Sequence, residues 1–262
     1  DLVRPDSIVD CINTNAPDLI LNAAAYTAVD QAEKEPDLAG AINGLAPGIL
    51  AEQALKRESV LIHFSTDFVF DGQKGSPYRE SDTPAPINIY GKTKLAGERA
   101  VQEVGGEYYI FRTSWLYSNR RPCFVSKVLD WARTQDTLRI VSDQIGSPTW
   151  ARTLAQATAQ AVGRIINRDK SWRRTTSGIY HTAGIGSASR FEWAQQILAL
   201  DPHPEEHIVT QLQKASSADF KTMAERPAYS VLDCSRFQNT FDAFYVSWNE
   251  ALEQALSASE SR

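Results

Sequence analysis

Five short apolar runs, each followed or preceded by a stretch with helical spacing, constrain this chain more than any other feature. The runs lie at 18–22, 60–64, 108–113, 138–141 and 178–182, and the helical stretches at 7–15, 36–57, 90–104, 124–133 and 151–166. Strands that alternate with helices imply an α/β fold, with a mostly parallel sheet covered by helices on both faces. Pro36 stands near the start of its helix, and Pro47 is expected to kink or break it. In 90–104 the expected inner stripe is Ala96, Ala100, Val101 and Val104. Residues 71–88, rich in Gly, Pro and polar side chains, read as a long loop. Such a loop leaving the carboxyl end of a strand suits a lid or a substrate contact. After Ser187 the pattern is less regular. Ser189 is an N-cap candidate for a helix through Leu200, and Trp248, Leu252 and Leu256 mark a terminal helix.

Ligands of open α/β sheets bind at the carboxyl ends of the strands. The run 60–64 ends in Ser65-Thr66-Asp67, and Tyr90-Gly91-Lys92-Thr93-Lys94 follows after the long loop. Tyr90 and Lys94, four residues apart, share one helix face. A lysine beside a phenol favours the phenolate and lowers its pKa, and a phenol so tuned can pass a proton near neutral pH. A hydroxyl, a phenol and an ammonium in this order are what a carbonyl reductase needs. Both His63 and His181 sit in apolar strand-like settings and read as core histidines.

The 262 residues suffice for one large domain or two unequal ones. A net charge of −5 argues against a nucleic-acid surface. The basic stretch from Arg164 to Arg174 reads as an exposed loop. Cys11, Cys123 and Cys234 are widely spaced and fit idle thiols in a reducing cytoplasm. Glu33, Glu35 and Glu98 are dispersed carboxylates, so no metal cluster is expected. No apolar run reaches the length of a membrane span. The sequence begins at Asp1, its only methionine is Met223, and no Gly-rich turn follows a first strand. A beginning that carries the pyrophosphate-binding turn is therefore expected upstream.

Several segments together resemble the dTDP-4-dehydrorhamnose reductases, of the extended short-chain dehydrogenase/reductase superfamily. They are Asn22-Ala-Ala-Ala-Tyr-Thr-Ala-Val-Asp30, Ser65-Thr-Asp-Phe-Val-Phe-Asp-Gly72, Tyr90-Gly-Lys-Thr-Lys-Leu-Ala-Gly-Glu98, Arg112-Thr-Ser-Trp-Leu-Tyr117, Asp143-Gln-Ile-Gly-Ser-Pro-Thr149, Gly178-Ile-Tyr-His181, Arg226-Pro227 and Ser230-Val-Leu-Asp233. The resemblance implies a Rossmann-like doubly wound parallel sheet whose first βαβ unit, roughly forty residues, precedes Asp1. It assigns 1–117 and 138–183 to the dinucleotide-binding domain, and 118–137 and 184–262 to a smaller C-terminal α/β substrate domain. The implied reaction is reduction of the C4 carbonyl of a dTDP-4-dehydro sugar by NADPH or NADH. The residues that choose between the two coenzymes lie before Asp1.

By the same resemblance Tyr90 is the general acid, Lys94 its partner and a contact of the nicotinamide ribose, and Thr66 polarises the carbonyl. Asp1, Leu2, Ala25, Tyr26 and Thr27 would border the cofactor. Asp67, Trp115, Gln144 and Arg226 would face the substrate, with Arg226 free either to bind a diphosphate or to form an ion pair. Magnesium and a homodimer are family options that the residues leave open. A non-catalytic regulatory subunit, like that of methionine adenosyltransferase, and another sugar-nucleotide enzyme such as an epimerase stay open as well. Three departures touch fine substrate contacts: Phe68 where many relatives carry tyrosine, Tyr229 where asparagine is common, and a segment 118–123 poor in glycine.

Overall fold

The computed structural model describes residues 1–257. Its longer strands are β1 (Leu19–Asn22), β2 (Val60–Thr66), β3 (Tyr108–Thr113), β4 (Thr137–Val141), β5 (Gly178–His181) and β6 (Gln211–Ala215). The longer helices are α1 (Pro5–Asn15), α2 (Ala46–Lys56), α3 (Ile89–Val104), α4 (Phe124–Thr134), α5 (Ala151–Ile166), α6 (Arg190–Ala199) and α7 (Trp248–Ser257). The main sheet runs β1-β2-β3-β5, and every neighbouring pair is parallel. Successive strand residues point to opposite faces, and both faces are covered. Leu61 and Ile110 meet Ile8 and Ile12 of α1, Leu50 of α2 and Val101 of α3. Val60, Ile62, Tyr109 and Phe111 meet Ala157, Ala161 and Ile165 of α5 on the other side. This is the Rossmann-like α/β layering that the alternating pattern implies.

A second core lies beside the sheet. There β4 pairs in parallel with β6, and α4, α6 and α7 enclose Leu138, Ile140, Trp193 and Leu252. The expected grouping of 138–183 with the main sheet therefore needs correction at its start, because β4 pairs outside that sheet. Conversely, the short helix Ser235–Phe241 returns to the main sheet, with Phe237 and Phe241 packed on Phe111 and Tyr180. A short apolar run announces a strand, but its partner is chosen by distant packing that a local pattern does not carry.

Three further local expectations change. The basic stretch contains a helix, Lys170–Thr176, whose N-cap Asp169 accepts from the Trp172 backbone N–H. Two of its charges are paired, Lys170 with Glu58 at 2.7 Å and Arg173 with Glu107 at 2.5 Å. At Pro47 the helical run continues without a break. Proline has no N–H to give the carbonyl one turn back, and the chain winds wide as a π turn, Ala41–Leu45, between Pro36–Gly40 and α2. Finally, α3 buries Gly91, Lys94, Leu95, Gly97, Glu98 and Val101, while Ala96 is exposed. Of the expected inner stripe, Val101 and Val104 pack on the core, whereas Ala96 does not, and two charge-bearing side chains, Lys94 and Glu98, are buried instead. Glu98 is held by Arg112 through two bonds, of 2.9 and 2.6 Å, and by Ser65.

Candidate active site

Strand β2 ends at Thr66, and the chain turns through a short 3-10 segment, Asp67–Val69. The Thr66 hydroxyl oxygen caps that turn, accepting from Phe68 N–H at 3.2 Å. Helix α3 begins opposite. Its N-cap Asn88 accepts from Gly91 N–H at 2.8 Å and donates to the Glu225 carbonyl at 2.7 Å. A Cβ at Gly91 would stand 2.2 Å from the Phe68 carbonyl oxygen, so only glycine lets this helix turn lie on the end of β2. The close approach sets the Tyr90 ring edge-on to Phe68, 5.8 Å between centroids, and brings its phenol to the Thr66 hydroxyl.

A cavity of about 720 Å³ opens at this point, and Thr66, Asp67, Tyr90, Lys94 and Trp115 all line it. Ala25 and Thr27, after β1, line it too. Trp115 adopts a positive φ of 42°, uncommon for a bulky residue. Its indole lies over Gly146, where a Cβ would stand 2.4 Å from the ring. Trp115 shares the cavity lining with Tyr90.

The electrostatics differ from the expectation for Tyr90. Burial pushes its phenol up to about 12; the bond with Thr66 opposes this, and the Asp67 charge adds to it. The Lys94 ammonium is turned elsewhere. It donates to the Phe64 carbonyl at 2.6 Å and lies 3.3 Å from His63 Nε2. Burial brings Lys94 down to about 8, with Glu98 pulling the other way. Asp67 is fully enclosed, and its carboxylate accepts from Thr66 at 3.1 Å, Ser114 at 3.0 Å and Ser230 at 2.5 Å. Burial raises its pKa against the pull of those three hydroxyls.

His63 and His181 are buried, with both pKa values lowered chiefly by burial. His181 accepts its place between Arg112 and the Tyr78 carbonyl. His63 does more than fill the core, since it links the Asn22 amide at 3.0 Å to Lys94.

Other expected residues lie apart. Tyr26 points away: its hydroxyl donates to Glu35 at 2.6 Å, a bond that pushes the phenol up to about 12. Asp1 bonds Val3 and Ser7, Leu2 packs on the core beneath α1, and neither lines the cavity. Gln144 and Arg226 line a second cavity of about 1160 Å³. Gln144 donates to Ser217 at 2.9 Å. Arg226 is ion-paired to Asp30 at 2.6 Å. Among the described residues no three His, Cys, Asp or Glu side chains gather to hold a metal ion. No helix among them is long and apolar enough to cross a membrane.

Two residues escaped the sequence reading. Asn43, in the π turn, accepts from the Tyr26 N–H at 2.9 Å and donates to the Tyr26 carbonyl at 3.0 Å and to Thr93 at 3.3 Å. It ties the loop after β1 to the helix of Tyr90 and Lys94. Arg190 lies on Trp115, 3.6 Å from the ring centroid, and lines the second cavity. A proline shortly after a buried asparagine could have signalled the first; nothing local signals the second.

The family model described as "RmlD substrate binding domain" matches residues 1–261. A dTDP-4-dehydrorhamnose reductase of Burkholderia thailandensis is 38% identical over 255 residues, covering 96% of this chain and 85% of that protein. Its namesake from Salmonella typhimurium is 35% identical over 260 residues, covering 98% and 85%. Among solved structures, a dTDP-4-dehydrorhamnose reductase of Clostridium acetobutylicum superposes with a TM-score of 0.89 at 31% identity, over 99% of this chain and 87% of that one. One from Bacillus anthracis, in complex with NADP, superposes with a TM-score of 0.87 at 33% identity, over 98% and 86%. A hydroxyl, a phenol and a lysine on one cavity, set in this fold, thus occur in a chain that belongs to the dTDP-4-dehydrorhamnose reductase family.

Proposed function

We propose that this chain reduces the C4 carbonyl of dTDP-4-dehydro-L-rhamnose to give dTDP-L-rhamnose, with NADPH or NADH as reductant. The observation that carries the reading is the convergence of Thr66, Tyr90, Lys94 and Trp115 on one cavity. The family relatives, one of them with NADP in its structure, support the coenzyme class. Small side chains at Ala23 and Ala25 leave room for a flat ring beside Tyr90 and Lys94. When bound there, the nicotinamide supplies the hydride.

The chain's own groups manage the proton and the charge. Tyr90 keeps its proton at neutral pH because burial raises its pKa, and it gives that proton to the carbonyl oxygen as negative charge develops there. Thr66 turns its hydroxyl from Asp67 toward the same oxygen, and such a placed donor stabilises the developing oxyanion. The Thr66 bond is the longest of the three that Asp67 accepts, and the serines still satisfy Asp67 after it breaks. Lys94, an ammonium with three donors, contacts Phe64 and His63 and offers a remaining donor to the cofactor's ribose. Trp115 walls the hexose, and Gln144 and Arg226 face the nucleotide end. The three free thiols suit a cytoplasmic setting.

The test is to incubate the purified protein with dTDP-4-dehydro-L-rhamnose and NADPH. The expected outcome is coenzyme oxidation with formation of dTDP-L-rhamnose. No coenzyme oxidation, or release of an epimer without it, would contradict the proposal.

A further inference from the structure

The wall between the two cavities is a stack. Trp115 faces the first, and Arg190 lies on the indole from the side of the second. The guanidinium also approaches Phe124 at 5.0 Å and Trp193 at 5.4 Å, so rings surround it. Its backbone N–H is fixed on the Gln144 carbonyl at 3.2 Å. Yet among the described residues its side chain has no hydrogen bond and no ion pair, whereas Arg226 in the same cavity is taken by Asp30. Burial costs this cation proton affinity and brings it to about 9; Asp67 opposes the fall and Arg226 adds to it. It therefore stays charged at neutral pH. A half-buried, half-desolvated cation with five donors and no acceptor is an incomplete arrangement that an anion would complete.

We propose that Arg190 seats the diphosphate of the sugar nucleotide. The inference rests on the sugar-nucleotide reading above and adds to it the residue that spans the two cavities. A hexose held between Tyr90 and Trp115 must carry its diphosphate past the edge of the indole to reach the larger cavity, and Arg190 is the cation at that passage. Its planar fork matches two phosphate oxygens at once, and the indole beneath keeps the fork flat. Arg190 is thus a positioning residue. It holds the substrate in register, and the chemistry is left to Tyr90 and Thr66.

The experiment measures binding of dTDP and of thymidine to the wild type and to Arg190→Met by calorimetry, alongside kcat and KM for reduction. Expected is a loss of about 10- to 100-fold in dTDP affinity, the range for charge-assisted hydrogen bonds. Thymidine affinity should not move, KM should rise in step, and kcat at saturation should hold. Arg190→Lys keeps the charge without the fork and should fall between the two. Thermal melts of each variant establish that the aromatic cluster still folds. Unchanged dTDP affinity in a folded Arg190→Met protein would overturn the proposal, as would equal losses for thymidine and dTDP. A wild type that binds dTDP and turns over while the variant matches it removes Arg190 alone. A wild type that binds no dTDP removes the sugar-nucleotide reading, and this proposal with it.

Discussion

Burial sets the two groups at the centre of the site in opposite directions. Tyr90 is raised to about 12 and Lys94 is lowered to about 8. Tyr90 is therefore a proton reservoir across the neutral range, while Lys94 is the group that titrates first. Reduction at saturating substrate should decline as pH rises through about 8, as the ammonium loses its charge, and a pH–rate profile checks this. A stability signature accompanies it. The unfolded lysine titrates near 10.5 and the folded one near 8, so between those values the unfolded chain binds more protons and stability rises with pH. Lys94→Met has no such gain. The wild type should gain on the variant by on the order of 3 kcal/mol from pH 8 to 10.5, read by chemical denaturation across that range. A difference that ignores pH would contradict it. The sequence made Thr66, Tyr90, Lys94 and Trp115 legible because chemistry-bearing residues recur there at meaningful spacings. It hid the burial of Lys94 and Glu98, since a charged side chain reads as solvated until its partner is known. Arg190 was invisible because its partner, Trp115, belongs to a distant segment.

Among the elements, one contact aligns the residues proposed to be catalytic. Helix α3 can bring Tyr90 to Thr66 only if its first turn lies against the Phe68 carbonyl, and Gly91 permits it. Gly91→Ala should destabilise the fold by about 1–3 kcal/mol, the usual cost of overpacking. It should also lower turnover, as Tyr90 moves off the end of β2. A melting curve with an activity assay checks both, and a variant as stable and active as wild type would contradict the alignment argument. Strands and helices were largely legible from periodicity, including β3 and α5 to the residue. The π turn was not. Pro47 announces a disturbance, but whether a helix kinks, breaks or winds wide depends on neighbours. Here the Asn43 carbonyl faces α3, where a Cβ at Gly97 would stand 2.1 Å from it, and the Asn43 side chain holds the Tyr26 backbone.

At the scale of the whole molecule, a four-stranded parallel sheet supplies Thr66 at the end of one strand, and α3 packed on it supplies Tyr90 and Lys94. The smaller core supports Trp115 through Trp193, stacked at 5.6 Å. The larger cavity continues from that wall toward Gln144 and Arg226. The layering was legible in the alternating pattern; the division between the two cores was not, because β4 and the helix Ser235–Phe241 each pair with the core that sequence order would not choose. In the proposed reaction Tyr90 delivers one proton within the first cavity. Single-turnover reduction by Tyr90→Phe, with NADPH and dTDP-4-dehydro-L-rhamnose both saturating, isolates that proton from binding. The expected result is a rate lower by about 10²–10⁴, the usual share of a general acid, with both ligands bound as tightly as by the wild type. Reduction at the wild-type rate would contradict the account.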